Sequence, residues 1–322
     1  MSSASSESSP PEVDGVVTRS TGSWYDVRVG ERTIPSRIRG KFRLTHQDAT
    51  NPVAVGDRVT IRINEEDDTG LILSIHDRTN QLSRRASGHR TGQKHVMVAN
   101  VDRVWIVQSV ARPALKPAFV DRLLVAAAVH EIPAGLLINK MDLLSDDRRA
   151  EVMDVHVRYQ DLGYPVLPMS ALEGTGLEPF KAALSGRVSV VTGPSGTGKS
   201  SLLNAIEPGL DVETGEVSDS TRKGTHTTTH AELHPLSFGG YLVDTPGIRE
   251  FGVREVHPKD LAHFFPDLAP YVNECKFPDC THDHEPGCSI KAAVERGDVH
   301  RERYESYLRI LASLQQEEEK RF

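Results

Sequence analysis

The chain has 322 residues, a formal net charge of −7 and 38% hydrophobic residues. That length suits two or three domains and that composition an ordinary soluble protein. No apolar run approaches the ~20 residues of a membrane-spanning helix, so no membrane partner is expected, and the acidic total argues weakly against nucleic acid.

Residues 1–12 are Ser-rich, without a basic start or an apolar core, and are predicted to be a disordered tail rather than a signal peptide. Residues 13–78 are predicted to be all-β. Short β-rich runs at Gly15–Thr18, Trp24–Val29, Arg58–Ile63 and Leu71–Ile75 alternate with Gly, Asp and Asn turns. At this size an OB-type barrel is the expected outcome, with a small spacer sandwich as the alternative. Arg28, Arg32, Arg37, Arg39, Lys41 and Arg43 cluster there against Glu31 alone, so an acidic chain can still present a basic, RNA-binding face. Residues 79–95, with Arg84, Arg85, Arg90 and Lys94, are predicted to be a polar linker or mobile loop.

From 96 to 250 β and α patterns alternate. Strands are expected at Val104–Val110, Gly135–Ile138, Val166–Leu167, Val188–Val191 and Tyr241–Val243, and helices at Ala118–Val129, Arg148–Asp161 and Lys199–Ala205. Such alternation implies a doubly wound parallel sheet. From 251 to 322 a Cys/His-rich knot precedes a helix whose apolar residues include Tyr304, Tyr307, Leu308, Ile310, Leu311 and Leu314.

Four motifs lie just past strand ends, where such sheets bind ligands. Asn139-Lys140-Met141-Asp142 comes first, and a carboxylate at Asp142 can accept from guanine N1–H and the 2-amino group, which adenine cannot match. Asn139 is expected on the N7/O6 edge and the Lys140 stem over the base. Ser170-Ala171 follows, with the Ala171 N–H offered to O6. Gly193-Pro194-Ser195-Gly196-Thr197-Gly198-Lys199-Ser200 matches a phosphate loop between strand and helix. Its backbone N–H groups, with Lys199 and the following Ser201, are expected to hold the phosphates, and Ser200 to ligate Mg²⁺. Asp244-Thr245-Pro246-Gly247 is last. Asp244 is expected on Mg²⁺ through water and the Gly247 N–H on the γ-phosphate. In an ordinary GTPase the phosphate loop comes first, so this order means circularly permuted connectivity.

Ile248 stands where many GTPases carry a water-orienting Gln. Within Gly224–His230, Thr228, or else Thr227, is the expected further Mg²⁺ ligand, and His226 the candidate to orient the attacking water. Cys275-x4-Cys280-x-His282-x5-Cys288 offers a complete Cys3His set for one structural zinc, with His284 as a rival ligand. These are the only cysteines, and an odd count argues against a disulfide framework and for a reducing, cytoplasmic compartment.

The permuted order, the N-terminal barrel and the Cys3His knot together resemble the ribosome small subunit-dependent GTPase family (RsgA, also called YjeQ or EngC). The segment Arg39-Gly40-Lys41-Phe42-Arg43, Gly56-Asp57, Asn100-Val101-Asp102 and Asp121-Arg122 resemble it too. Pro194 and Thr197 depart from it, where a polar residue and Val are more usual, as does Thr225 before His226. The resemblance implies GTP hydrolysis stimulated by the small (30S) ribosomal subunit during its late maturation, an OB domain placed on 16S rRNA, and a hydrolytic role for His226. Together these expectations describe a monomeric, cytoplasmic α/β GTP hydrolase. It has an N-terminal OB-type barrel, a circularly permuted P-loop GTPase domain and a C-terminal zinc-binding helical domain, and uses GTP, Mg²⁺ and Zn²⁺. A large-subunit GTPase, a passive RNA-binding module with a structural nucleotide site, and an adenylate-type kinase or ATPase are the alternatives.

Overall fold

The computed structural model describes residues 11–38, 52–85, 94–210, 231–244, 253 and 256–319, of which 84, 85, 94, 95 and 244 are described by their backbone. The described residues fall into two compact units. One is drawn from Met1–Val101, Gly186–Val188 and Thr225–Pro246, the other from Asp102–Ser185, Ser189–Gly224 and Gly247–Phe322.

The first unit is built on a closed five-stranded barrel. Its strands are β1 (Glu12–Ser20), β2 (Tyr25–Val29), β3 (Arg32–Ile38), β4 (Arg58–Asn64) and β5 (Thr69–Ile75). They run in the order β1-β2-β3-β5-β4, and β4 pairs back onto β1. Every pairing is antiparallel except β3 with β5, which meet in parallel at Ser36↔Gly70. Alternation puts Val17, Val27, Ile34, Val59, Ile61 and Ile72 into one dry core. β3 escapes the sequence reading because Pro35 and two flanking arginines demote it as a strand. Only Ile34 and Ser36 turn fully inward.

The expected linker at 79–95 is corrected in part. Gln81–Arg85 forms β6, which pairs antiparallel with β7 (Lys94–Ala99). Leu82 is too isolated to announce a strand alone, but it is buried in the same unit as Val96 and Val98 of the partner strand. The same unit holds the hairpin of β12 (Glu232–Pro235) and β13 (Tyr241–Asp244), which joins the barrel where Arg19 of β1 pairs with Glu232.

The second unit carries a parallel sheet in the order β10-β9-β8-β11. These are β8 (Arg103–Ser109), β9 (Ala134–Asn139), β10 (Val166–Pro168) and β11 (Val188–Thr192). Their pairings are all parallel. β8 and β9 are buried almost end to end, as a sheet covered on both faces demands. The helices are α1 (Pro117–Val129), α2 (Asp146–Asp161), α3 (Leu177–Leu184) and α4 (Lys199–Ile206). α3 is too short for a periodic signal, yet its Phe180 meets Trp105 edge-on at 5.4 Å.

α5 (Ser289–Arg296) and α6 (Arg301–Glu319) close the chain. Phe265, Leu268, Ile290, Tyr307, Ile310, Leu311 and Leu314 pack there with Val125 and Ala126 of α1. The Cys/His-rich region therefore shares a core with α1 and belongs to the same compact unit as the sheet. Among the described residues no helix is long and apolar enough to cross a membrane.

Candidate active site and metal centre

The phosphate loop leaves β11 and enters α4 through three glycines with positive φ. Two have no alternative to glycine. A β-carbon on Gly193 would lie 2.2 Å from the Val107 carbonyl oxygen, and one on Gly198 would lie 2.5 Å from Asn139 Nδ2. Across the loop the Pro194 carbonyl accepts from the Thr197 hydroxyl at 3.0 Å and from Lys199 Nζ at 2.7 Å. Pro194 and Thr197, the two departures from the family pattern, are thus hydrogen-bonded to each other, with Thr197 fully buried. Ser195 and Gly196 are exposed at the mouth, Ser200 is half-buried and Ser201 exposed in the first turn of α4.

Asn139-Lys140-Met141-Asp142 begins on the last residue of β9, with Lys140 in the left-handed region. Lys140 Nζ donates at 2.6 Å both to the Gly196 carbonyl of the phosphate loop and to the Arg112 carbonyl. Asn139, 1% exposed, donates through Nδ2 to the Thr197 carbonyl at 3.0 Å and accepts the Ala171 N–H at Oδ1 at 3.3 Å. The two groups expected on the purine edge are therefore bonded to one another, and Asn139 acts as a strut between loops. Its burial at a sheet end, next to a glycine with no β-carbon, is the physical reason. The half-buried Asp142 carboxylate accepts the buried Ser170 hydroxyl at 2.5 Å. Ser170 in turn accepts the Glu173 N–H at 3.1 Å, so its remaining role is to aim Asp142. Met141 is half-buried, and its N–H donates to the Met169 carbonyl at 3.0 Å. Three of the four motifs, separated in sequence, thus converge within one unit.

Asp244 ends β13 opposite Glu232 in the other unit. His226, Thr227, Thr228, Gly247, Ile248 and the whole of Gly224–His230 lie outside the described residues, as do Arg39, Lys41, Arg43 and Arg90. Arg112, which sequence reasoning did not single out, joins the site through its carbonyl alone. No motif announces a backbone contact of this kind.

The second constellation joins Cys275, Cys280, His282 and Cys288, whose ligand atoms all lie within 4.8 Å of one another. His282 Nδ1 is 3.3 Å from Cys275 Sγ and 3.5 Å from Cys288 Sγ, and the two sulfurs are 3.9 Å apart. Zinc bonds of about 2.3 Å to sulfur and about 2.0 Å to nitrogen put tetrahedral S···S pairs at ~3.8 Å and S···N pairs at ~3.5 Å. The donor set fits that ion. His284, the rival ligand, is exposed and outside the group. The loop is folded around these donors. Glu285 accepts the Thr281 N–H and hydroxyl at 2.8 and 2.7 Å, and the hydroxyls of Tyr304 and Tyr307 donate to the carbonyls of His282 and Thr281 at 2.7 Å each. Burial lowers the His282 pKa, which keeps the imidazole neutral as a metal ligand requires, and burial pushes the Cys280 thiol up to about 12.

Comparison with known proteins decides the family. The model of the RsgA GTPase matches residues 75–254, and that of the RsgA N-terminal domain matches residues 14–72. The chain belongs to the RsgA GTPase family. Small ribosomal subunit biogenesis GTPase RsgA 2 of Bacteroides thetaiotaomicron is 41% identical over 298 residues, 92% of this chain and 96% of its own. Small ribosomal subunit biogenesis GTPase RsgA of Gemmatimonas aurantiaca is 44% identical over 299 residues, 92% of this chain and 95% of its own. The crystal structure of YjeQ from Thermotoga maritima superimposes with a TM-score of 0.78 at 35% identity, covering 94% of this chain and 99% of that one. YloQ, described as a circularly permuted GTPase, gives 0.76 at 28% identity, covering 98% and 99%. The fold is that of an RsgA-type circularly permuted P-loop GTPase with an N-terminal OB-type barrel. The C-terminal region carries a Cys3His cluster, and the chain is a GTP-hydrolysing enzyme of ribosome biogenesis.

Proposed function

We propose that this GTPase binds the small ribosomal subunit, contacts its 16S rRNA through the barrel, and hydrolyses GTP to GDP and phosphate in response during late subunit maturation. The observation that carries the nucleotide part is Lys140 Nζ, bonded at 2.6 Å to the phosphate-loop carbonyl of Gly196. In this reading the base-reading loop and the phosphate loop, pinned together by one ammonium, serve one guanine nucleotide. The names of the relatives support the subunit as partner.

In this reading Asp142, aimed by Ser170, accepts the two guanine donors, while the Lys140 stem packs over the base. The 193–198 backbone, Lys199, Ser201 and the α4 N-terminus hold the phosphates. Ser200, Asp244 and Thr228 would hold Mg²⁺, which neutralises charge on the β- and γ-phosphates. Gly247 contacts the γ-phosphate, and His226 orients the attacking water. Because Ile248 cannot hold that water, unassisted turnover is slow. Completion of such a site by a partner is worth up to ~10⁵-fold in other GTPases. Cys275, Cys280, His282 and Cys288 would hold one structural zinc, closed to solvent chemistry by its four protein donors. The protein acts as a cytoplasmic monomer.

GTP turnover measured alone, with isolated small subunits and with isolated large subunits tests the whole reading. Strong stimulation by small subunits alone, lost in His226→Ala, is the expected result. Equal stimulation by both particles, or none by either, overturns it.

A further inference from the structure

The nucleotide loops and the C-terminal helices grip one stretch of chain at two places, its lead-in and the following helix. The lead-in to α1, residues 110–116, is fastened at both ends. The Val110 N–H donates to the Asn139 carbonyl at 3.1 Å, the Ser109 hydroxyl to the Pro113 carbonyl at 2.7 Å, and the Lys116 N–H to Gln108 Oε1 at 3.3 Å. Its middle reaches the nucleotide loops. The Arg112 carbonyl is the second acceptor of Lys140 Nζ, and a β-carbon on Gly196 would sit 3.4 Å from Pro113 Cδ.

α1 itself is bolted to the C-terminal region. Arg303 of α6, 2% exposed, donates to the buried Asp121 of α1 and, through two nitrogens at 2.7 and 3.1 Å, to Asp267. The Tyr159 hydroxyl donates to the same Asp121 oxygen at 2.7 Å. One residue on, Arg122 donates to the Ser313 hydroxyl of α6 at 3.1 Å. A bidentate guanidinium shared between two carboxylates has one good geometry, so α1 and α6 move together or the network breaks.

We propose that the C-terminal helices set how tightly guanine is held, by fixing α1 and, through its lead-in, the Arg112 carbonyl that anchors Lys140. Ser109, Arg122 and Arg303 are positioning residues for that lysine. The inference rests on the assignment of Lys140 to the purine made above. Two carbonyls aim the ammonium, and displacing one turns the stem away from the base. GTP and GDP share the base, so both affinities change by the same factor, whereas a device acting on the γ-phosphate would separate them. By linkage, whatever pulls on the C-terminal helices also changes nucleotide retention.

The test uses the full chain with Ser109→Ala, Arg122→Ala and Arg303→Lys, the last keeping the charge but losing the fork. Fluorescent GDP and GTP titrations and steady-state turnover are measured, with thermal melting to confirm folding. Each variant is expected to weaken GDP and GTP by the same factor of about fivefold, to raise KM with kcat unchanged, and to show no added loss when combined. If Arg303→Lys does not fold, Arg122→Ala, which removes the half-buried tie to Ser313, decides. Affinities within about twofold of the parent in the folded variants, while Lys140→Ala weakens binding, overturn the coupling. Unchanged binding in Lys140→Ala overturns the base assignment instead.

Discussion

Gly198 is a residue whose identity the site cannot change. It has φ +86°, and a methyl group there would meet Asn139 Nδ2 at 2.5 Å, pushing out the strut that joins the phosphate loop to Ala171. Left-handed backbone alone costs a non-glycine residue about 1–2 kcal/mol, and the lost Asn139 bonds add to it. Gly198→Ala is expected to weaken GTP by at least about tenfold, read by nucleotide titration; an unchanged affinity would show that the strut is dispensable. Asp142 invites the opposite experiment. Its carboxylate is aimed by Ser170 at 2.5 Å, and an amide in its place donates where guanine also donates. Asp142→Asn is expected to lose GTP by roughly 10²-fold or more and to accept xanthosine triphosphate, measured by competition binding. The expectation for Asp142 can be written from four letters of sequence. The bonds of Asn139 to the Thr197 carbonyl and the Ala171 N–H cannot, because they depend on a missing β-carbon at a glycine far along the chain.

At the scale of elements, the Cys3His loop is held by its own hydrogen bonds and by two tyrosines of α6, but its centre holds three thiols and a buried imidazole in close contact. Burial raises the Cys280 and Cys288 thiols, so without metal they carry protons at neutral pH. Metal loading must displace those protons, and affinity falls as pH falls. Purified protein is expected to carry one zinc per chain by elemental analysis. Stripping it with a strong chelator, or replacing His282 by Ala, is expected to lower the melting temperature by more than about 4 °C. An unchanged melting curve in stripped protein would mean the cluster is not a folding metal site. The same region shows why the periodicity of Tyr304 to Leu314 is easily read while its partner is not. Helical spacing marks the apolar face of α6, but only the folded chain shows that α1 supplies Val125 and Ala126 to it.

Across the whole molecule, the proposed ribosomal partner is anionic, and an acidic chain with a formal net charge of −7 would have to meet it through local charge. On the barrel Arg37 stacks over the Trp24 ring at 4.0 Å, and Arg28 and Arg37 alternate with the buried Val27, Ile34 and Ser36, which places both on outward faces. Binding to small-subunit RNA is expected to weaken steeply between low and moderate salt, by filter binding at a series of ionic strengths; a flat response would remove these arginines from the interface. The motif order, the parallel sheet, the barrel and the three thiol donors of the candidate metal centre were determined by the sequence itself, because each rests on local spacing: alternation, a glycine-rich turn after a strand, or donors close along the chain. Tertiary structure alone decided which carbonyls hold Lys140, that Gln81–Arg85 becomes a strand once Lys94–Ala99 lies beside it, and that His282 rather than His284 turns inward. It also decided that Arg303 ties α6 to α1. Those features depend on partners distant in the chain, and a hydrogen bond to a backbone carbonyl leaves no mark on the identity of the residue that offers it.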